Sequence, residues 1–185
     1  MSIVNPTCQD GCQVIPPIWS FNDCDPDVNY GQIDRIYIAS LGMNDLIDWT
    51  SLAEWTGHLD NTTLDLQKIR FLNVIGMKPP AEGDLKDISR NRKITADKTH
   101  TITFRVDETD ATNYDALRQI ECGGNFKVWY QAGKYLYGDN SGITAYVQLN
   151  DDIPEDKKEL NVFQGVITWE AQFHPARITN PLPTI

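Results

Sequence analysis

The fold is decided by a stretch near the middle of the chain, His100-Thr101-Ile102-Thr103-Phe104-Arg105-Val106-Asp107. The apolar side chains of Ile102, Phe104 and Val106 fall on one face, because successive side chains of a strand point to opposite sides. Threonine and arginine occupy the other face. This alternation predicts a strand with one buried and one exposed face.

A helix is predicted directly after this strand. Asp110 or Thr112 can cap its first turn, and Gly123-Gly124 follows its last residue, Glu121. Residues at helical spacing form a stripe that should face the core, namely Tyr114, Leu117 and Ile120.

Strand patterns occupy both sides of this central unit. Four more strands joined by short turns follow it, over residues 126–130, 135–137, 143–149 and 162–173. Gly165 falls in the buried register of the last strand and indicates a bulge. Two strands precede it, over residues 33–40 and 66–74, with a short helix between them.

The short helix shows both of its boundaries in the sequence. Ser51-Leu52-Ala53-Glu54 matches a capping box, and Gly57 is a suitable stop. Leu52 and Trp55 should share one side of the helix, and we interpret Trp49 and Trp55 as packing anchors. After the second strand, residues 76–98 lack periodicity and contain Pro79-Pro80, which predicts a long surface loop.

Runs of strands with a segregated helix predict an α+β fold with an antiparallel sandwich or barrel-like core. The domain should span residues 31–175. It is preceded by an extended proline-rich arm, residues 1–30, and followed by a second extended arm, residues 176–185.

Composition excludes several classes of protein. Hydrophobic residues make up 41% of the 185 residues and charged residues 23%, which excludes wholesale disorder. The net charge is −10, whereas a general nucleic-acid binder needs a basic surface, which this composition does not provide. The chain has no apolar run of 18 residues and starts without a secretory signal pattern, so we expect synthesis in a cytoplasm and no membrane partner.

The N-terminal arm contains two patterns that suggest a metal. Cys8, Cys12 and Cys24 are closely spaced, but a zinc site needs a fourth ligand and the nearest histidine is His58. These three cysteines are interpreted as packing residues of the arm, and no metal is predicted.

The second pattern matches a calcium-binding loop in part. Five oxygen-bearing residues fall on ligand positions of the template, but Val28 replaces the glycine that the sharp turn requires. We therefore interpret these residues as an acidic turn: Asp23, Asp25, Asp27, Asn29 and Asp34.

Catalytic motifs are not found. No phosphate-binding glycine loop, zinc-protease motif or nucleophile elbow is present. His58, His100 and His174 lie far apart in the sequence, and nothing pairs them with a nucleophile. We predict a protein that is not an enzyme, with no catalytic residue and no cofactor.

Two groups of residues are candidates for an interface with other proteins. Trp19 and Phe21 lie on the N-terminal arm, and a free tail rarely carries such side chains unless they are buried on a surface, either of its own domain or of a neighbouring subunit. Arg90, Arg92 and Lys93 belong to the basic island of an otherwise acidic chain. The alternative for this island is a solvated loop without a partner.

The second half of the chain resembles structural proteins of tailed-phage virions. The likeness rests on residues 100–106, the helix around 114–117, residues 126–130 and residues 165–175. Strand, helix, hairpin and a late long strand in this order are similar to the tail-tube and head–tail connector ring fold. Gly31-Gln32-Ile33-Asp34-Arg35-Ile36-Tyr37-Ile38 after a cysteine-containing arm resembles proteins of Bacteroidetes phages, including crAss-like phages.

This resemblance implies a structural subunit of a phage tail or neck, located in the virion and assembled in the host cytoplasm. Its partners would be copies of itself in a ring and the neighbouring tail, neck or portal proteins. Genomic DNA would pass through without specific binding. The alternative is a β-sandwich module that binds a carbohydrate or host surface, with Trp129, Tyr130, Tyr135 and Tyr137 stacking on sugar rings.

Overall fold

The computed structural model describes residues 31–83, 85–89, 92–95, 97–108, 110–153, 155 and 161–182. This part of the chain forms ten strands and two short helices. In chain order they are β1 (Ile33–Ala39), α1 (Leu52–His58), β2 (Ile69–Met77), β3 (Leu85–Ser89), β4 (Arg92–Thr95), β5 (Lys98–Val106), α2 (Ala111–Arg118), β6 (Gly124–Ala132), β7 (Tyr135–Tyr137), β8 (Ile143–Asp152), β9 (Val162–Ala171) and β10 (Arg177–Thr179).

Six strands close into an antiparallel barrel. Their order is β1-β2-β5-β9-β8-β6, and β6 pairs back with β1 to complete the ring of strands. Closure leaves no open edge in the barrel itself. β7 and β10 continue the sheet beyond β6. The predicted antiparallel, barrel-like core is therefore correct.

The barrel interior follows from strand alternation. The β5 residues Ile102, Phe104 and Val106 are buried there, as their spacing predicts. Gly165 of β9 lies in the same interior register, but the predicted bulge is wrong because β9 pairs with β5 and β8 without a register shift. A Cβ atom at Gly165 would lie 2.2 Å from Cζ of Phe104, so the ring of Phe104 occupies the space of a side chain.

Helix α2 packs on the end of the barrel where β5 ends and β6 begins. The Asp110 carboxylate accepts a hydrogen bond from the Asn113 backbone N–H at 2.8 Å and caps the first turn. Leu117 is buried in the interior cluster, and Tyr114 contacts Phe163 edge to face with 5.4 Å between ring centroids. Ile120 is half-buried against the same cluster, so the predicted inward stripe is confirmed for all three residues. The helix itself ends at Arg118, three residues before the predicted end at Glu121.

Residues 41–59 form an outer layer against the outside of β1 and β6. Trp49 and Trp55 are both buried in it, which confirms them as packing anchors. The predicted capping box is wrong. The Ser51 side chain makes no cap hydrogen bond, and the Glu54 carboxylate accepts from the Ile47 backbone N–H instead. The helix ends at His58, one residue after the predicted stop at Gly57.

Two other predictions of irregular chain are wrong. The interval 76–98 contains the end of β2, the hairpin β3–β4 and the start of β5. Its many charged residues hid the strand pattern. The segment 176–182 does not extend away from the domain, because β10 pairs with β7 and Leu182 is buried against the outer layer.

Candidate functional sites

The predicted interface residues belong to two regions of the chain. Trp19, Phe21 and Arg90 lie outside the described residues. Arg92 and Lys93 lie on β4, so the basic island is carried by a hairpin rather than by a loop.

The hairpin β3–β4 forms a two-stranded sheet of its own. Neither strand pairs with a strand of the barrel. At its base, the Glu82 N–H donates to the Thr99 carbonyl at 3.2 Å, and the Thr99 N–H donates to the Glu82 carbonyl at 2.8 Å. The hairpin thus leaves the barrel between β2 and β5, at the end where β1 begins.

Several large aliphatic side chains are exposed on the outer layer and on the loop that follows it. Ile47 is 87% exposed and Leu64 is 98% exposed, so water covers almost all of both side chains. Leu41, Leu52 and Leu66 are also exposed. Scattered apolar residues are normal on a protein surface, but five within residues 41–66 concentrate apolar area in one segment.

A group of basic side chains lies at the end of the barrel where β1 begins. We call it the basic end and define it by Lys78, which follows β2, by Lys98 and His100 of β5, by Trp169 of β9, and by His174, which follows β9. The Lys78 ammonium donates to Nδ1 of His174 at 3.3 Å and lies 5.8 Å from the centre of the Trp169 ring.

His100 lies beneath this pair and is fully buried. Its ring stacks on Trp169 with 5.1 Å between centroids and meets the His174 ring edge to face at 5.2 Å. Nε2 of His100 donates to the Ala171 carbonyl at 3.1 Å, while Nδ1 has no hydrogen-bond partner among the described residues.

Burial and like charge shape the electrostatics of the basic end. Burial lowers the pKa of His100, His174 and Lys78 below their ordinary values. The positive charges of Lys78 and Lys98 lower the pKa of both histidines further. Each of these groups therefore holds its proton less firmly than it would in water.

Sequence reasoning missed this site because it treated the histidines as separate. His100 and Trp169 occupy paired positions on adjacent strands, which the alternation of β5 and β9 places on the same interior face. The alternation within each strand can be read from the sequence, but the pairing of β5 with β9 cannot.

The aromatic residues proposed for sugar stacking are largely used in packing. Trp129 and Tyr130 are buried, and the Trp129 indole N–H donates to the Asp139 carbonyl at 2.7 Å. Tyr137 stacks on Tyr130 at 4.7 Å, and the Arg177 guanidinium lies 4.3 Å from the ring centre of Tyr135. These four side chains do not form an open stacking platform.

A shallow depression of about 90 Å³ lies between α2 and β2. Next to it, the Asn61 side-chain amide accepts from the Phe71 backbone N–H and donates to the Phe71 carbonyl. The amide thus makes the hydrogen bonds that a neighbouring strand would make, in the part of β2 that does not pair with β5. The depression is smaller than a typical ligand pocket.

The part of the chain that the structure describes brings no group of metal-ligating side chains together. Within it, no three histidine, cysteine or acidic side chains lie close enough to hold a metal ion, and Cys122 is exposed and free. Cys8, Cys12 and Cys24 fall outside the described residues, as do all the residues of the calcium template except Asp34. Neither described helix is long and apolar enough to cross a membrane.

Comparison with known protein families, curated proteins and solved structures finds no match to this chain. The relation to phage virion proteins stays a prediction from the residues that resemble them.

Proposed function

We propose that the protein is a non-enzymatic structural subunit of a phage tail or neck, and that its copies assemble into a homo-oligomeric ring around the DNA conduit. The observation that carries the proposal is the hairpin β3–β4, which is separate from the barrel sheet. A two-stranded hairpin is at best marginally stable alone in water, so it needs a surface to pack on. In a ring, that surface belongs to the next subunit.

The exposed aliphatic residues of segment 41–66 supply a second contact. A contact between different faces of neighbouring copies is heterologous, and such contacts close into rings when the rotation permits. Burying Ile47 and Leu64 on a neighbour would release about 1.5–3 kcal/mol for each side chain that becomes fully covered.

Charge supports the role of a conduit. The chain carries 26 acidic residues against 16 basic ones, and a negatively lined bore repels phosphate so that DNA slides through. In this arrangement the hairpin and the basic end face neighbouring subunits rather than the bore. A ring whose bore is lined mainly by lysine and arginine would contradict this part of the proposal.

The assembly is tested by native mass spectrometry and negative-stain electron microscopy of the full chain over a range of concentrations. We expect rings of uniform mass. The triple variant Arg90→Glu, Arg92→Glu, Lys93→Glu should lose the rings and keep its thermal unfolding temperature. Arg118→Glu, which changes charge on α2 instead, is the matched control and should still assemble.

Hydrogen exchange separates a true monomer from a subunit that has not yet nucleated. The amides of β3 and β4 should exchange freely in monomer and become protected in rings, while the β5 amides stay protected in both. Protected hairpin amides in a protein that stays monomeric at high concentration would overturn the proposal, because the hairpin would then need no partner.

A further inference from the structure

The basic end gathers positive groups that no carboxylate of the described residues compensates by an ion pair. Among the described residues, an ion pair joins Lys127 to Asp45 and the His58 ring lies 3.7 Å from the Glu54 carboxylate, but no ion pair reaches Lys78 or Lys98. This is unusual in a chain with a net charge of −10, where acidic side chains are in excess. The basic end is therefore a place where an anion would gain charge pairing that the described residues do not supply.

The hydrogen-bond arrangement specifies what kind of ligand fits. Because Lys78 donates to Nδ1 of His174, the neutral His174 ring carries its proton on Nε2. His174 is exposed and Lys78 is half-buried, so the lysine ammonium and this ring N–H are two donors that can reach a ligand. A cation would be repelled by Lys78 and Lys98, whereas an oxygen anion would accept from both donors.

We propose that the basic end binds a carboxylate, held by the ammonium of Lys78 and the Nε2–H of His174. His100 does not contact the carboxylate in this arrangement. It responds to the added negative charge, because an imidazolium at this buried position is otherwise opposed by Lys78, Lys98 and His174. The carboxylate can come from a small acid in solution or from an aspartate of the chain itself, and this site does not depend on ring assembly.

The chain contains exactly three histidines, which makes the test direct. Full-length protein labelled with ¹³C-histidine is titrated with sodium acetate at pH 6, at constant ionic strength set with chloride. The His100 and His174 ring resonances should shift along a saturable curve. His58, whose Nδ1 donates to the Gln67 carbonyl on the outer layer, should not shift and serves as the internal reference.

Charge-removal variants locate the binding groups. Lys78→Met should weaken acetate binding about tenfold, the loss expected for one charge-assisted hydrogen bond. Arg118→Met removes one positive charge from α2 at the other end of the barrel and should leave the affinity unchanged. Binding should also be tighter at pH 6 than at pH 8. The bound anion stabilises the protonated histidines, which the positive charges of Lys78 and Lys98 otherwise disfavour.

The source of the carboxylate is decided with the variant Asp23→Asn, Asp25→Asn, Asp27→Asn. If these aspartates occupy the site, the triple variant shifts the free-state His174 resonance and binds acetate more tightly than the parent chain. If the ligand is a small acid, both chains bind acetate equally. The proposal fails if acetate produces no saturable shift in either chain, if His58 shifts equally, or if only inorganic phosphate binds.

Discussion

The two faces of β1 and β6 are packed in different ways. On the barrel side the side chains are mostly aliphatic, such as Ile36, Ile38 and Val128. On the outer side they are larger and aromatic, such as Tyr37 and Trp129. The interior is enclosed by paired strands, which satisfy their own backbone groups. Outside α1 the outer layer is irregular chain, so side chains must make hydrogen bonds to its backbone groups.

These hydrogen bonds come from the polar ends of side chains in the outer layer and on the strand β6 beneath it. The Trp55 indole N–H donates to the Trp49 carbonyl at 2.7 Å, and the buried Lys127 ammonium donates to the Met43 carbonyl at 2.7 Å. Lys127 also pairs with Asp45 at 2.6 Å, which fastens the loop before α1 to the barrel wall. Compared with the barrel interior, the outer layer contains aromatic residues that carry a hydrogen-bond donor at one end, because its backbone lacks regular hydrogen bonding.

The largest expected effect comes from Trp55→Ala. Trp55 is fully buried and contacts Tyr37 at 5.2 Å and Trp129 at 5.5 Å between ring centroids. Truncation should lower the free energy of unfolding by about 3–5 kcal/mol, measured by urea denaturation. Leu52→Ala on the same helix should change it by less than about 0.5 kcal/mol, because Leu52 is exposed.

The urea experiment also tests whether the two regions unfold together. A single transition with an unchanged denaturant slope would mean that the outer layer and the barrel form one cooperative unit. Two separate transitions for Trp55→Ala would show instead that the barrel stands without its outer layer.

A smaller effect is expected inside the barrel from Gly165→Val. The Phe104 ring fills the space above Gly165, so an added side chain should cost about 1–3 kcal/mol through overpacking. Phe104→Ala vacates that space. The cost of Gly165→Val should therefore be smaller in the Phe104→Ala background, and a double-mutant cycle measures the difference. Equal costs in both backgrounds would contradict the assigned contact.

The same comparison explains which parts of the fold the sequence predicts. The interior face of β5 follows from alternation alone, and so does the stripe on α2, since each depends on the period of a single element. The closure of β6 onto β1 and the position of β10 depend on pairings between distant residues, which no local pattern contains. The basic end was missed for this reason, because Lys78, His100 and His174 meet only after β2, β5 and β9 are side by side.

The two helices begin differently, and the difference should change the free energy of unfolding by about 1 kcal/mol. Asp110 caps α2 through a side-chain hydrogen bond, so Asp110→Ala should cost about 1 kcal/mol in thermal or urea unfolding. Ser51 makes no such bond at α1, and Ser51→Ala should cost less than about 0.5 kcal/mol. An equal loss in both variants would mean that Ser51 also caps its helix in solution.

The smallest expected effect is a dependence of stability on pH that belongs to the basic end. Burial lowers the pKa of His100 and His174 in the folded protein, while the unfolded chain takes up protons near the ordinary value of about 6.5. The free energy of unfolding should therefore fall as the pH drops from about 7 towards 5.

His100→Gln should flatten this decline, because the amide can still donate to the Ala171 carbonyl but takes up no proton. Hydrogen bonds lower the pKa of Asp45, Asp48 and Asp60, so those residues cause a separate loss that begins only below about pH 4 and should persist in the variant. The measurement needs buffers without carboxylates. An unchanged slope between pH 7 and 5 in His100→Gln would show that His100 is not the titrating group, and His174, whose pKa burial also lowers, would then be the residue to replace.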